Sequence, residues 1–261
     1  MLNARKNLRT LILLIIVLCA WEVVADLFAQ PRLFPSLSHL LTFSLPSIAT
    51  FSIDGKSGYD VALFVILKHS LLSVYRCIFG FAIGYVTGIL YGLSGQKESR
   101  PERKMPILLT FSRNIPLLAL IPLFLYWFGG TEIGMILYIA FAVFIIVATN
   151  TQQAVFNVPQ NLIEQAQMLG ADRKRIICDI IFPCIQGELA GAIKYLASLI
   201  WAVSLASEYL ASSSGMGFLI YQSYSFSDMG KLIVLSIVYC FLSICSYHFV
   251  NLYFKKKLTW I

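Results

Sequence analysis

Apolar stretches of about 18 or more residues recur along this chain with few charges inside them, the length a helix needs to cross a bilayer. Backbone polar groups in hydrocarbon must be satisfied within the protein, which leaves helices or a closed barrel. Alternating strands of about ten residues, the signature of a barrel, are absent. Hydrophobic residues make up 58% of the chain, charged residues 13%, and the mean hydropathy is +0.77; a soluble domain carries about twice that charge. The expected fold is all-α and polytopic, with six transmembrane helices near residues 11–28, 70–94, 105–128, 133–150, 187–208 and 231–254. The first span is polar at its far end and lacks a small-residue cleavage site, so it reads as a retained helix and not a signal peptide.

Orientation follows from the basic residues. Arg5, Lys6 and Arg9 precede the first span, Lys97, Arg100, Arg103 and Lys104 follow the second, Arg173, Lys174 and Arg175 follow the fourth, and Lys255, Lys256 and Lys257 follow the sixth. If the spans alternate, these 13 of the 20 Lys and Arg residues share one side, with Arg32, Lys56 and Lys231 opposite. The positive-inside rule makes the crowded side cytoplasmic, so both termini are expected there. The net charge of +7 then meets anionic lipid and is no sign of nucleic acid. The segment 29–60, with Pro31, Pro35, Pro46, Gly55 and Gly58, reads as an outer loop. Residues 1–60 therefore form a tail, a span and that loop, and 61–261 form the core transmembrane domain.

Inside the spans, several residues carry more than hydropathy. Gly80, Gly84, Gly88 and Gly92 stand four residues apart, on nearly one helix face, where a neighbouring backbone can approach closely; the partner is another helix of the same chain or a second copy. Gly187, Gly191, Ser198, Ala202 and Ala206 give the fifth span a similar stripe, and these two helices are expected to form the packed centre. Pro116 and Pro122 break the hydrogen-bond ladder of the third span, tolerable only where protein or a water-filled cavity satisfies the freed carbonyls. Arg113, beside them, must snorkel or pair. Trp201, Ser204, Ser207 and Glu208 lie near the outer end of the fifth span. An acid there faces a cavity or a partner, which makes these residues, together with Arg113, Pro116 and Pro122, translocation-pathway candidates, or else it marks the outer interface. Gly215 and Gly217 fit a tight turn before the sixth span. The six cysteines show no CxxC pair or metal-ligand spacing with the histidines, so no metal is expected and they read as small apolar fillers.

The segment 157–183 has a shape of its own. Asn157 is placed to cap a helix starting near Val158, with Pro159 in its first turn and Gln160 reaching back. Leu162, Ile163, Ala166 and Leu169 recur at helical spacing as an apolar stripe, with Glu164, Gln165 and Gln167 away from it. Gly170 supplies the left-handed residue that ends the helix. Asp172 caps a second helix, and Pro183 is expected to close it before the next apolar run.

At this hairpin the chain resembles the EAA motif of permease subunits from ABC importers. The family pattern reads Glu-Ala-Ala, then Gly, Ile and Leu-Pro at fixed spacing; here those positions hold Glu164, Gln165, Ala166, Gly170, Ile180, Phe182 and Pro183, with Gln165 and Phe182 as departures. The stretches Arg113-Asn-Ile-Pro-Leu-Leu-Ala-Leu-Ile-Pro-Leu, Leu125-Tyr-Trp-Phe-Gly129, Leu162-Ile-Glu-Gln-Ala166, Leu169-Gly-Ala171, Ala206-Ser-Glu208 and Gly215-Met-Gly-Phe-Leu-Ile220 are similar to the nitrate, sulfonate and taurine branch. The resemblance covers residues 62–250. It implies a type I importer permease of the prokaryotic inner membrane, paired with a second permease copy as a homodimer, served by two ATPase subunits and fed by an extracytoplasmic substrate-binding protein. Glu164, Gln165, Ala166, Leu169, Gly170, Ala171 and Pro183 are then the ATPase-coupling residues. ATP and Mg are held by the partner ATPase, with no cofactor or catalytic residue in this chain.

The phosphate-loop-like run Gly92-Leu-Ser-Gly-Gln-Lys97 fails the GxxxxGK[ST] spacing. A secondary transporter or channel would share the spans, but no internal half-repeat supports it. An intramembrane hydrolase using Ser213 or Ser214 with His248 would need groups expected on opposite sides of the membrane. The resemblance leaves a range of cargoes, from nitrate, sulfonates and taurine to vitamin precursors, and no ring of Arg or Lys selects an anion.

Overall fold

The computed structural model describes residues 2–28, 30, 32–52, 58–94 and 107–257. Every described element is helical. In chain order these are α1 (Leu2–Phe28), a string of short turns forming α2 (Leu37–Phe51), α3 (Tyr59–Ser94), α4 (Ile107–Asn114), α5 (Ile121–Phe128), α6 (Glu132–Phe156), α7 (Gln160–Met168), α8 (from Arg173 to Ala211), α9 (Met216–Ser225) and α10 (Met229–Lys257). Among the described residues four helices are long and apolar enough to cross a membrane: Tyr59–Ser94, Glu132–Phe156, Arg173–Leu210 and Met229–Lys256. The expected span 11–28 falls inside α1. Lys56, Lys97, Arg100, Arg103, Lys104, Pro31, Gly55 and the end of the phosphate-loop-like run lie outside the described residues. The chain divides into two compact units, one of Met1–Leu71 with Ser214–Tyr239, the other of Leu72–Ser213 with Cys240–Ile261.

The second unit is organised on α6. Fifteen of its residues are buried, among them Tyr138, Ile139, Val143, Val147 and Thr151. The glycine stripe of α3 meets this face residue for residue. A Cβ built on Gly80 would stand 2.5 Å from Ile139, one on Gly88 2.8 Å from Val147 and one on Gly92 2.6 Å from Thr151, and one on Gly84 would strike the Ala140 carbonyl and Val143. Steps of four on both helices keep the seam in register, so β-branched side chains fill the notches that the glycines leave. Of the two partners open to the stripe, the helix of the same chain is the one found. The expected pairing of the second and fifth spans as the centre is corrected by this arrangement: the glycines face α6, and Gly191 of α8 has nothing within 4 Å of a built Cβ.

The third expected span is not one helix. Helix α4 stops at Asn114, Pro116 is extended at ψ 113°, residues Leu117–Leu120 form a 3-10 turn, and α5 restarts with Pro122 in its first turn. Pro116 has no N–H to continue the ladder, and its ring disfavours the helical region for Ile115. At the break the Leu117 carbonyl accepts a hydrogen bond from the Tyr138 hydroxyl at 3.0 Å, a protein-supplied contact of the kind irregular backbone at membrane depth requires.

Pro183, expected to end a helix, does not. The helix from Arg173 widens into a π-helical stretch over Ile176–Ile181 and continues as Phe182–Ala211. The Phe182 N–H bonds to Ile177, five residues back, and this wider register makes room for the proline ring at the first turn of the following α-helix.

In the first unit, the expected outer loop is largely helical. The Ser36 hydroxyl caps α2 by accepting from the His39 N–H at 3.2 Å, and Leu40, Ile48 and Ala49 are buried. Gly215 is left-handed at φ +101°, and its N–H donates to His69 Nδ1 at 3.0 Å. The turn expected at Gly215 and Gly217 is there only at Gly215, while Gly217 is a buried residue of α9. Of the six cysteines only Cys77 is buried, so five are surface residues of their helices instead of core fillers.

Candidate functional site

Helix α7 stands out because its two apolar faces have different fates. Ile163 and Ala166 are buried at 4% and 7% exposure, in a cluster with Ala154, Val155, Val158, Ile176, Ile181 and Ile185. Leu162, Met168 and Leu169 are 37%, 80% and 89% exposed, and Glu164, Gln165 and Gln167 are exposed beside them. The single stripe read from the sequence therefore splits: Ile163 and Ala166 anchor the helix, and Leu162 and Leu169 point away. Residues 162, 165 and 169 share a helix face by their spacing of three and four.

The ends of this helix are fixed by different means. Gly170 is left-handed at φ +79°, its N–H bonds to Gln167 at 2.9 Å, and the Ala171 N–H bonds to Ala166 at 3.0 Å. That pair of bonds is a Schellman motif. Asp172 accepts from the Arg175 N–H at 3.2 Å, as its capping position requires. The expected cap at Asn157 is not made: α7 starts at Gln160 with no side-chain cap. Asn157 instead ends α6, and its amide donates to Glu188 of α8 at 2.9 Å. The amide thus closes the base of the hairpin between its two flanking helices. Pro183 lies beyond the turn, within α8 as described above.

A second constellation lies in the same unit, buried at Arg76 and Glu208 and half exposed at Glu132. Arg76 of α3 has a fully buried side chain, and its Nε and Nη2 donate to the two Glu132 oxygens at 2.7 and 2.6 Å. Its Nη1 lies 3.0 Å from Glu208 Oε1, also on a fully buried side chain. Glu208 further accepts from the Ser73 hydroxyl at 2.8 Å and the Ser204 hydroxyl at 3.4 Å. Glu132 lies in the first turn of α6, where the helix dipole favours a carboxylate. One network thereby joins α3, α6 and α8.

The remaining pathway candidates are dispersed. Arg113 and Pro116 line a cleft of about 570 Å³ together with Thr149, Asn150, Gln153 and Tyr195. Among the described residues Arg113 has no acidic partner. Pro122 is exposed, Ser207 borders a small crevice with Tyr138, and Trp201 lines a separate apolar groove. No described cavity gathers them all. Sequence reading missed Arg76 and Glu132, although an arginine in the interior of an apolar span calls for an acid elsewhere. No group of three or more His, Cys, Asp or Glu among the described residues could hold a metal ion.

A multi-pass helical membrane protein with a capped hairpin anchored between two of its helices is the class these features define. Residues 93–258 match the family described as binding-protein-dependent transport system inner membrane component, and the chain belongs to that family as an ABC transporter permease subunit. It is 30% identical over 192 residues to SsuC of Bacillus subtilis, by its name an aliphatic sulfonates transport permease protein, covering 74% of this chain and 70% of that one. It is also 30% identical over 210 residues to the taurine transport system permease protein TauC of Escherichia coli, covering 79% and 73%. Among solved structures, an amino acid ABC transporter with histidines superposes at a TM-score of 0.58 with 14% identity, covering 74% of this chain and 94% of that one, a likeness of fold. These relatives lie in the sulfonate and taurine branch to which the sequence motifs pointed.

Proposed function

We propose that segment 157–183 is the element through which a separate ATPase drives this permease. The observation that carries the reading is the exposure of Leu162, Met168 and Leu169 on a helix held from behind by Ile163 and Ala166. An amphipathic helix that buries one apolar face and presents another offers a ready ligand for a groove on a partner. Glu164 and Gln165 rim that face, and Gly170 and Ala171 hold its end through the Schellman bonds. The ATPase binds ATP and Mg, two such subunits serve a homodimer of permeases, and a binding protein delivers solute from outside. Both termini and the hairpin face the cytoplasm.

Motion received at α7 passes to α6 and α8, since its anchoring cluster is made of their residues, and rigid-body rocking of packed helices is the expected response. The solute moves along the cleft into which Arg113, Asn150 and Gln153 bring polar groups, while Glu208, held by three partners, fastens helices together. The cargo is a small solute of the sulfonate or taurine kind, the cargo named for the relatives above. The test is reconstitution: proteoliposomes holding this permease with its ATPase on the lumenal face, and given the binding protein and a sulfonate such as taurine outside, should take up the sulfonate only with ATP in the lumen. Uptake by the permease alone would overturn the reading.

A further inference from the structure

A large apolar groove of the second unit has no part in the reading above. It has a volume of about 580 Å³, and its walls run from Val74 to Ala82 on α3, from Ile193 to Trp201 on α8 and from Leu242 to Val250 on α10. Helices α3 and α8, as spans of opposite direction, run antiparallel and are joined where the Ser73 hydroxyl donates to Glu208 at 2.8 Å. Mid-groove, the Ser246 hydroxyl of α10 donates to the Ala197 carbonyl of α8 at 3.3 Å. With successive spans alternating, Ala82, Ile193 and Val250 share one end, and the walls are about 12 Å long at the helical rise of about 1.5 Å per residue.

Beyond that end α10 continues to Lys255 and Lys256, about 7.5 Å past Val250 by the same rise. Both side chains are exposed, and among the described residues neither has an acidic partner. An apolar slot within hydrocarbon depth that opens toward two unpaired ammonium groups fits one kind of occupant. We propose that the groove holds an acyl chain of an anionic phospholipid whose phosphate rests against Lys255 and Lys256. The apolar walls accept a methylene chain of either leaflet's lipid. The lysines select for negative charge at the leaflet where α10 ends, each worth about fivefold at an anionic headgroup.

The assay is native mass spectrometry of the detergent-purified complex, titrated with phosphatidylglycerol or with phosphatidylcholine of the same chains. Wild type should bind phosphatidylglycerol more tightly. Replacing both lysines, Lys255→Gln with Lys256→Gln, should weaken phosphatidylglycerol about twentyfold and leave phosphatidylcholine unchanged. Ala82→Phe, at an exposed wall position, should lower occupancy by both lipids. Ile83→Phe, exposed and outside the groove lining, should match wild type and so controls for folding. Equal affinity of wild type for the two lipids, an unchanged lipid count in Ala82→Phe, or a helix of a second copy seated in the groove would overturn the proposal.

Discussion

Arg76 meets two carboxylates in different settings, Glu208 with a fully buried side chain and Glu132 with a half-exposed one. The members of this network are therefore not equivalent. Glu208→Gln leaves a neutral Arg76–Glu132 pair and an amide that still reaches Ser73 and Ser204. Arg76→Met leaves Glu208 buried without its counter-ion, a defect that costs about 3–5 kcal/mol in known cases. The expected outcome in detergent is a melting temperature for Arg76→Met well below that of Glu208→Gln, read by thermal denaturation followed by size-exclusion chromatography. A reversed order would mean that the Glu208 carboxylate contributes more to the joint between the three helices than the Arg76 charge does. Gly170 is the other decisive residue, since its φ of +79° costs an L side chain about 1 kcal/mol or more. Gly170→Ala should loosen the Schellman turn and raise amide exchange at Ala171 without lowering expression.

Among the elements, the seam between α3 and α6 gives the sharpest contrast. Gly88→Leu drives a side chain into Val147, and overpacking a fitted interface costs about 1–3 kcal/mol. Gly191→Ala, with open space around it, should be neutral or stabilising by up to about 1 kcal/mol, the helix-propensity difference. Melting both variants beside wild type checks the pair. The same elements show what the sequence made legible. The four-residue glycine step was visible, but not its partner, because α6 has no small-residue signal: its matching face is Ile139, Val143, Val147 and Thr151, ordinary apolar-span residues until a glycine helix lies against them. The break at Pro116 was readable from the missing N–H, whereas the passage through Pro183 was not, since a π-helical stretch is a tertiary accommodation with no composition of its own. The capping role assigned to Asn157 failed for a similar reason. Its amide prefers Glu188, a partner 31 positions away, which local spacing does not reveal.

In the proposed function of the whole molecule, α7 is held by the membrane domain and passes on work done by a separate ATPase. The sequence located that helix and its turn at Gly170, and the family match agrees with the class of protein it implied. Which apolar residues anchor and which reach outward became visible only with the cluster of Ile163, Ala166, Ile176 and Ile181 in place, because a helix of nine residues offers too few turns to separate two apolar faces by periodicity. The two faces predict opposite defects. Ile163→Asp should lower the amount of folded permease, since it buries an unpaired charge. Leu169→Asp should leave folding intact and remove the partner. The most direct measurement is co-purification of the ATPase with tagged permease from membranes, comparing wild type with Leu169→Asp at equal permease yield. ATPase is expected with wild type and at least tenfold less of it with Leu169→Asp; equal ATPase with both would show that the exposed face of α7 does not hold the partner.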